Sequence, residues 1–453
     1  MVYHHDTIAS LATPAKESAL GLIRVSGQSC LLLCNKIFGI PSPTPRKSNL
    51  GNYVSTNNEH IDQVIFVYYP DGKSFTGEEM IEITFHGNVI IANKILDDLI
   101  RRNCRLAEPG EYTKRAFLNG KIDLTQAESI AEIITAKSDA QLKVANKKLS
   151  GSLGKVLEKI QDNTLEIQSQ LEASIDFPED DISEPDYSEL INKLTDLIQR
   201  LDDLIRNHSL ENKISNAIKV TLIGPPNAGK SSLFNKLLSE DRSIVSDLPG
   251  TTRDYVSKEI LLNGYLVELI DTAGIRESSD KIEMLGIENT RRNINDSDIT
   301  FMVIDVSAPY PVDFINQIMN EYPRNNFILV KNKTDLNSST KISDPIFEGT
   351  TINTSIYSDA GTEEIKEEVN KFIKENIEDD LSDQIVVNKR QFQFLNECKI
   401  HFSEALQTMT AGKNEEIILL ELKLGLEFLN LIVGTKTNED MLDKLFNSFC
   451  IGK

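Results

Sequence analysis

The fold of this chain is indicated first by the stretch GPPNAGKS, which occupies Gly224–Ser231. An apolar run, Ile218–Ile223, leads into it and an amphipathic segment, Ser231–Leu238, follows it, which predicts a strand, a loop and a helix in that order. Backbone N–H groups of such a loop and of the helix N-terminus can hold phosphate oxygens. The pattern GxxxxGK[ST] therefore predicts a nucleotide-binding P-loop, with a glycine-rich turn that binds nothing as the alternative.

Residue types suited to phosphate and Mg²⁺ occur at matching places. Lys230 is placed to reach the β and γ phosphates, and Ser231 to ligate Mg²⁺. Asp271 follows the apolar run Tyr265–Ile270, where a strand-end aspartate can hold the Mg²⁺ shell and a glycine three residues later can approach the γ phosphate. The predicted contacts are Asn227, Ala228, Gly229, Lys230, Ser231, Ser232, Asp271, Thr272, Ala273 and Gly274.

The base is predicted from the sequence NKTD, which follows the apolar run ending at Val330. Its aspartate, Asp335, can accept two hydrogen bonds from the N1 and N2 edge of guanine, which adenine does not offer. Alone, this sequence is equally typical of a solvated loop. After a P-loop and DTAG, in that order, it indicates GTP rather than ATP, with Asn332, Lys333 and Asp335 as the predicted base-side residues.

The segment between these motifs raises the question of catalysis. Thr252, in the sequence GTTRD, is predicted as a second Mg²⁺ ligand that senses the γ phosphate and orders a switch loop. Ile275 stands where many small GTPases place a glutamine that orients the attacking water, and isoleucine offers water no hydrogen bond. Arg276, Glu277 and Glu283 are the candidates to replace it. A nucleotide-regulated scaffold with negligible turnover is a further hypothesis.

The segments flanking the P-loop region differ from it in pattern. Short β-rich runs such as Leu20–Val25 and Val64–Tyr69 predict an α+β region at the start of the chain. Helical periodicity follows, and Thr125 with Glu128 is predicted to form a capping box. The predicted fold is multidomain: an α+β domain over 1–120, a helical domain over 121–215 and 380–453, and an α/β Ras-like P-loop GTPase domain inserted over 216–379.

Composition excludes several classes of protein. The 453 residues are 40% hydrophobic and 26% charged, which is typical of globular domains. The net charge of −21 argues against bulk attraction to nucleic acid. No apolar run approaches the roughly 18 residues of a membrane span, and the first residues lack a secretory pattern. We therefore expect a cytoplasmic protein without membrane contact. Five cysteines, none in a zinc spacing, predict no disulfide framework.

Four further stretches carry a resemblance to a known family. They are DTIASLATPAKESALGLIRVSG at 6–27, SFTGEEMIEITFHG at 74–87, PGEYTKRAFLNGKIDLTQAE at 109–128 and FCIGK at 449–453. With the inserted G domain, the chain resembles the MnmE (TrmE) tRNA-modification GTPases over essentially its whole length. Era-like and EngA-like ribosome-assembly GTPases share the G domain but not these flanks, and such a GTPase is the alternative function.

The resemblance implies an N-terminal domain that binds a 5-formyl- or methylene-tetrahydrofolate carrier and forms a homodimer. It also implies a FAD-dependent partner, MnmG, in a heterotetramer that places an aminomethyl or carboxymethylaminomethyl group on carbon 5 of the tRNA wobble uridine. By position, the residues that match the family's folate contacts are Arg24, Glu82, Lys121 and Lys453. Cys450 lies in the terminal box that the family places near the carrier.

The resemblance also implies a K⁺ ion beside the β and γ phosphates in place of an arginine finger. The matching K⁺ ligands are Asn227, Ser246, Leu248 and Thr251, and Glu283 matches the residue that orients water. The catalytic residues are therefore expected to be Glu283, Lys230 and Cys450. Two places depart from the family pattern: Pro249, which stiffens the K⁺ loop, and the guanine-backing loop, here Ser355, Ile356 and Tyr357.

Overall fold

The computed structural model describes residues 6–176, 186–240, 256–272, 291–322, 326–336, 347–357, 361–378, 384–412, 414–436 and 439–452. Two compact units make up the chain. The first contains Met1–Ile134, Ala145–Asp202 and Gln393–Lys453, and the second contains Thr135–Val144 and Asp203–Phe392. The first unit is therefore assembled from segments on both sides of the second.

The N-terminal part of the first unit is a six-stranded sheet with helices, in the order β3-β4-β5-β2-β1-β6. Neighbouring strands are antiparallel except β1 and β6, which are parallel. This confirms the α+β prediction. The elements are β1 Thr7–Leu11, β2 Leu20–Ser26, α1 Cys30–Phe38, β3 Ser48–Val54, β4 His60–Tyr69, β5 Met80–His86, α2 Val89–Arg101, β6 Cys104–Leu106 and α3 Glu111–Leu118.

The two faces of this sheet differ. On β5, Ile81, Ile83 and Phe85 are buried in one hydrophobic cluster with residues of α1 and α2, whereas Glu82, Thr84 and His86 on the other face are more exposed. We call the second face the open face. Leu50 on β3 and Ile65 on β4 are directly paired on it and are 67% and 45% exposed. Apolar side chains are therefore left uncovered on one side of the sheet.

The remainder of the first unit is helical. α6 (Ser152–Asp176) packs against α13 (Glu415–Val433), and Gln161 donates to Asn430 at 3.1 Å although the two residues are 269 positions apart. The two helical flanks therefore meet in one unit, as the fold prediction requires. The helices of this region and of its connection to the second unit are α4 Leu124–Thr135, α5 Asp139–Leu149, α6 Ser152–Asp176, α7 Tyr187–Arg206, α8 His208–Ser215, α12 Lys389–Thr410, α13 Glu415–Val433 and α14 Glu439–Phe446.

The capping box at the start of α4 is not the predicted one. Asp123 Oδ1 accepts from the backbone N–H of Gln126 at 2.9 Å, and Gln126 Oε1 accepts from the N–H of Asp123 at 3.0 Å. The helix begins at Leu124, so Asp123 is the N-cap and the reciprocal partner lies three residues later. The prediction of Thr125 with Glu128 is therefore wrong. Thr125 instead donates its hydroxyl to Asp123 Oδ1 at 2.6 Å.

The second unit contains a six-stranded sheet in the order β12-β11-β10-β7-β9-β8. Its neighbours are parallel except β8 and β9, which form an antiparallel hairpin. The predicted inserted α/β fold is thus confirmed. The elements are β7 Ile218–Ile223, α9 Lys230–Glu240, β8 Val256–Leu262, β9 Tyr265–Asp271, β10 Ile299–Asp305, α10 Val312–Glu321, β11 Phe327–Asn332, β12 Thr351–Asn353 and α11 Thr362–Ile373. In the described residues, we found no helix both long and apolar enough for a membrane span.

A buried ion pair ties α2 to the end of β3. Asp98 Oδ2 lies 2.7 Å from Nε of Arg102, with side chains that are 3% and 8% exposed. The same carboxylate accepts from Tyr53 Oη at 3.1 Å and from the backbone N–H of Thr56 at 2.7 Å. Burial raises the pKa of Asp98, but the hydrogen bonds from Arg102 and Thr56 outweigh burial and hold it below its ordinary value.

We expect Asp98→Ala to lower the free energy of unfolding by about 3–5 kcal/mol, because it leaves the Arg102 guanidinium buried without its partner. The native carboxylate stabilises the fold above its unfolded pKa of about 3.9, and that stabilisation is lost as the pH falls through the lower native pKa. The difference between wild type and variant should therefore shrink in acid. Urea denaturation across pH measures it, with the exposed Asp97→Ala as the control. Equal stability of the two variants at pH 7 would contradict the assignment.

Candidate nucleotide-binding site

The P-loop is shaped by residues whose backbone or size is restricted. Gly224 has φ of +153°, and a Cβ there would lie 2.1 Å from the carbonyl oxygen of Val303. Asn227 has φ of +64°, a left-handed conformation that asparagine adopts more readily than most residues. Gly229 has φ of +94°, and its Cβ would lie 2.2 Å from Nδ2 of Asn332. Gly224 is therefore required by the close approach of the Val303 backbone, and Gly229 by that of the Asn332 side chain.

The NKTD segment holds the P-loop directly. The fully buried Asn332 donates from Nδ2 to the carbonyl of Ala228 at 2.9 Å and accepts from Thr354 Oγ1 at 3.2 Å. Lys333 Nζ donates to the carbonyl of Asn227 at 2.9 Å and pairs with Asp305. The sequence predicted that Asn332 and Lys333 lie beside the guanine base. It missed that they brace the phosphate loop.

Lys230 lies inside the curve of this loop. Its Nζ donates to the carbonyls of Gly224 at 2.8 Å and Pro225 at 3.0 Å, and the residue is 7% exposed. Burial lowers the pKa of Lys230, and the charge of Asp271 opposes that effect. The ammonium group thus lies among backbone oxygens at the position predicted to bind phosphate.

Two oxygen donors suited to Mg²⁺ flank the lysine. Asp271 is buried at the end of β9, opposite Leu222 of β7 in the strand register. The next residue, Thr272, donates its hydroxyl to the carbonyl of Leu222 at 2.8 Å. Ser231 is exposed in the first turn of α9. Carboxylate and hydroxyl oxygens are the ligands that Mg²⁺ prefers, so these residues fit the metal that the motif predicts.

The carboxylate that is predicted to read guanine is held by the predicted backing loop. Ser355 is 3% exposed and donates from Oγ to Asp335 Oδ1 at 2.6 Å, while Asp335 itself is exposed. Lys236 of α9 donates to the carbonyls of Ser355 and Ile356 at 3.4 and 3.3 Å. Sequence reasoning did not identify Lys236, because no motif marks it.

Several predicted residues lie outside the described part of the chain. They are Ser246, Leu248, Thr251, Thr252, Ala273, Gly274, Glu283 and Lys453. The same holds for Pro249 and for the three positions after DTAG, which are Ile275, Arg276 and Glu277. The switch loop, most of the K⁺ ligand set and the water-orienting glutamate therefore remain predictions from sequence.

A second group of predicted residues lies in the first unit. Arg24 Nε pairs with Glu82 Oε1 at 2.9 Å across β2 and β5, and Tyr69 Oη donates to the other carboxylate oxygen at 3.2 Å. Arg24 also donates to the carbonyl of Gly452 at 3.5 Å. Its guanidinium lies 6.0 Å from the ring centre of Phe75. The structure therefore brings together an arginine, a glutamate and the C-terminal segment.

The C-terminal segment is docked by its backbone. The N–H of Gly110 donates to the carbonyl of Cys450 at 3.4 Å, and the thiol-bearing residue is exposed. Gly452 has φ of +93°, and a Cβ there would lie 2.6 Å from the carbonyl of Leu11. Lys121 Nζ instead donates to the carbonyl of Gly72 at 2.9 Å. Of the predicted folate contacts, the structure directly pairs Arg24 with Glu82.

The fold and the nucleotide site of the second unit define a P-loop GTPase. A phosphate loop follows β7, an aspartate ends the adjacent β9, and a fixed carboxylate follows β11. The carboxyl ends of parallel strands share one edge of a sheet, which is where α/β proteins bind nucleotides.

Comparison with known proteins specifies the family. Residues 7–121 match the family described as GTP-binding protein TrmE N-terminus, and residues 124–450 match the MnmE helical domain. The proteins called tRNA modification GTPase MnmE from Aquifex aeolicus and Fervidobacterium nodosum are 37% and 38% identical, each over 99% of this chain and 100% and 98% of their own. That of Thermotoga maritima is 33% identical over 99% of this chain and all of its own. The chain belongs to the MnmE family of tRNA modification GTPases.

We expect Gly229→Ala to weaken GTP binding at least about tenfold, a cost of about 1.4 kcal/mol, because the new methyl group must displace Asn332 or the loop. Gly412→Ala is a matched control, since Gly412 has φ of +62° but nothing within 4 Å of its Cβ position. Titration with a fluorescent GTP analogue measures both variants. Unchanged affinity in Gly229→Ala would refute the close packing of Asn332 on the loop.

Proposed function

We propose that this protein is a K⁺-activated GTPase that forms 5-carboxymethylaminomethyl or 5-aminomethyl uridine at the tRNA wobble position. It acts in the cytoplasm with the FAD-dependent partner MnmG and a tetrahydrofolate one-carbon donor. The observation that carries the proposal is the Asp335 carboxylate, held by Ser355 beside a braced P-loop, in a chain similar to MnmE proteins over its whole length. The proposed domains are 1–120, 121–215 with 380–453, and 216–379.

The first step of the proposed cycle is guanine-nucleotide binding. Lys230 leaves the carbonyls of its own loop to contact the β and γ phosphates, and the P-loop N–H groups bind the same oxygens. Asp335 accepts from N1 and N2 of guanine, while Ser355 keeps that carboxylate oriented. Ser231 and Thr252 would hold Mg²⁺, with Asp271 beside them.

Hydrolysis is proposed to depend on the positive charge of a bound cation in addition to that of Lys230. K⁺, when bound, supplies positive charge next to the β and γ phosphates. Asn227 is exposed on the P-loop and offers an amide oxygen for it, with Ser246, Leu248 and Thr251 as the other proposed ligands. Glu283 would orient the attacking water in place of the glutamine that Ile275 replaces.

We expect the GTPase rate to be higher in KCl than in NaCl at equal ionic strength, because Na⁺ is too small to reach the same ligands. Phosphate release assays on the full chain measure the rate in each salt. Lys230→Ala is the control for contaminating phosphatases and should show almost no turnover. Equal rates in the two salts would refute K⁺ activation and favour the scaffold hypothesis.

The proposed folate site rests on the pair of Arg24 with Glu82. A guanidinium binds carboxylates in a bidentate manner, as the folate tail requires, and a carboxylate can accept from the donor edge of the pterin. The backbone of Gly452 lies beside Arg24, which supports a role for the segment carrying Cys450 and Lys453. Lys121 would reach the carrier only by leaving Gly72.

The open face supports the proposed homodimer. Arg24 and Glu82 are paired with each other on this face. The neighbouring pair on the same face, two positions along each strand, is Leu22 with Thr84. Beyond Thr84, the pairing continues to Ile65 and Leu50, whose side chains are substantially exposed. Uncovered apolar surface of this kind is typical of protein interfaces. A second copy of the domain would cover this surface and enclose the charged pair.

We expect tRNA from a deletion strain to lack the C5-modified wobble uridine, and Arg24→Ala to restore it poorly because the carrier loses its cationic contact. Arg101→Ala removes an exposed arginine of α2 and should restore it fully. Cys450→Ser tests the proposed catalytic thiol in the same background. Nucleoside analysis by mass spectrometry measures each strain. Persistence of the modified uridine in the deletion strain would overturn the proposed function.

A further inference from the structure

Three side chains with metal-binding atoms converge in the helical part of the first unit. His401 and Glu404 are three residues apart on α12, so they lie on one face of that helix. Glu421 lies on the next helix, α13. One ligand atom from each of the three lies within 4.8 Å of the other two. The proposed GTPase and folate sites use none of these residues.

Two of the three donors are already oriented. A ring nitrogen of His401, Nδ1, lies 2.7 Å from Glu421 Oε2. The imidazole also stacks on the ring of Phe428, with centroids 5.6 Å apart and planes 15° from parallel. The His401 and Glu421 side chains are 22% and 16% exposed. Packing therefore fixes an imidazole and a carboxylate side by side, while Glu404 is exposed and can adjust.

In the described residues, the carboxylates of the cluster have no lysine or arginine partner. Within the described part of the chain, neither Glu404 nor Glu421 forms an ion pair with a lysine or arginine. Two carboxylates thus converge beside one imidazole. A hydrogen bond between His401 and Glu421 accounts for two of the three groups and leaves Glu404 without a role. A divalent cation accounts for all three.

We propose that His401, Glu404 and Glu421 bind one divalent first-row transition metal ion, with Zn²⁺ as the representative, and that the ion joins α12 to α13. Imidazole nitrogen and carboxylate oxygen are both zinc ligands, and three protein ligands leave the fourth position for water. Imidazole shifts preference from Mg²⁺ or Ca²⁺ towards such metals. Zinc ligand distances of about 2.0–2.2 Å place tetrahedral donors roughly 3.4 Å apart, so the His401 and Glu421 atoms that now lie 2.7 Å apart would separate slightly, and rotation of the exposed Glu404 would bring its carboxylate to the ion.

Calorimetric titration of the metal-stripped, nucleotide-free full chain with ZnCl₂ tests the site. Cys450→Ser serves as the background, because it removes the exposed thiol as a competing ligand. We expect Glu404→Gln to lose one equivalent of bound Zn²⁺ or to bind it at least about tenfold more weakly. Glu397→Gln removes another exposed carboxylate of α12 and should bind like the background. Equal stoichiometry and affinity in Glu404→Gln and the background would overturn the proposal.

Thermal unfolding gives a second readout that does not depend on GTPase activity. Zn²⁺ should raise the Tm of the background and of Glu397→Gln, but not that of Glu404→Gln, because the ion links two helices only when all three ligands are present. His401→Ala should behave like Glu404→Gln if it folds. Because Glu404 is exposed and outside the His401–Glu421 hydrogen bond, its variant decides the question even if His401→Ala does not fold. A Zn²⁺-induced shift equal in all variants would refute the assignment.

Discussion

The hydrogen bond from the Asn332 side chain to the carbonyl of Ala228 is the constraint on which the nucleotide site depends. It is fully buried, so the amide has no water to replace a lost partner, and breaking it would leave polar atoms unpaired. The side-chain oxygen of Asn332 accepts from the hydroxyl of Thr354, which immediately precedes the backing loop. One amide group therefore fixes the phosphate loop and the backing loop relative to each other.

This constraint links segments that are far apart in the chain. Asn332 lies 104 residues from Ala228 and 22 from Thr354, and the strands β7, β10, β11 and β12 are adjacent in that order in one sheet. The spacing between the groups predicted to bind phosphate and to read the base is thus set by strand separation. Gly229 allows the approach, because any side chain at that position would occupy the place of the Asn332 amide.

The sequence predicted those parts of the structure that depend on local pattern. The strand before the P-loop and the three nucleotide motifs could be identified because apolar runs and fixed spacings encode them. The helix starting at Leu124 was placed nearly correctly, yet its cap was assigned to Thr125 instead of Asp123, since two overlapping S/T/D-x-x-E/Q patterns occur within three residues. Lys236 was missed because its partners are backbone carbonyls brought close by the sheet. β8 was not among the predicted strands. Its antiparallel pairing with β9 is a tertiary contact that composition does not encode.

The helical region raises the question of how segments separated by the whole second unit can pair. Gln161 and Asn430 meet across 269 positions, and α6 packs against α13. The entropic cost of closing a loop rises only logarithmically with its length, by about 0.6 kcal/mol for each doubling. The inserted segment has its own sheet and hydrophobic clusters, to one of which Ala140 and Val144 of α5 also contribute. Once folded, it is a compact connection rather than a long flexible one. The insertion therefore adds little to the cost of assembling the first unit, and the helical domain can be completed by residues at both ends of the chain.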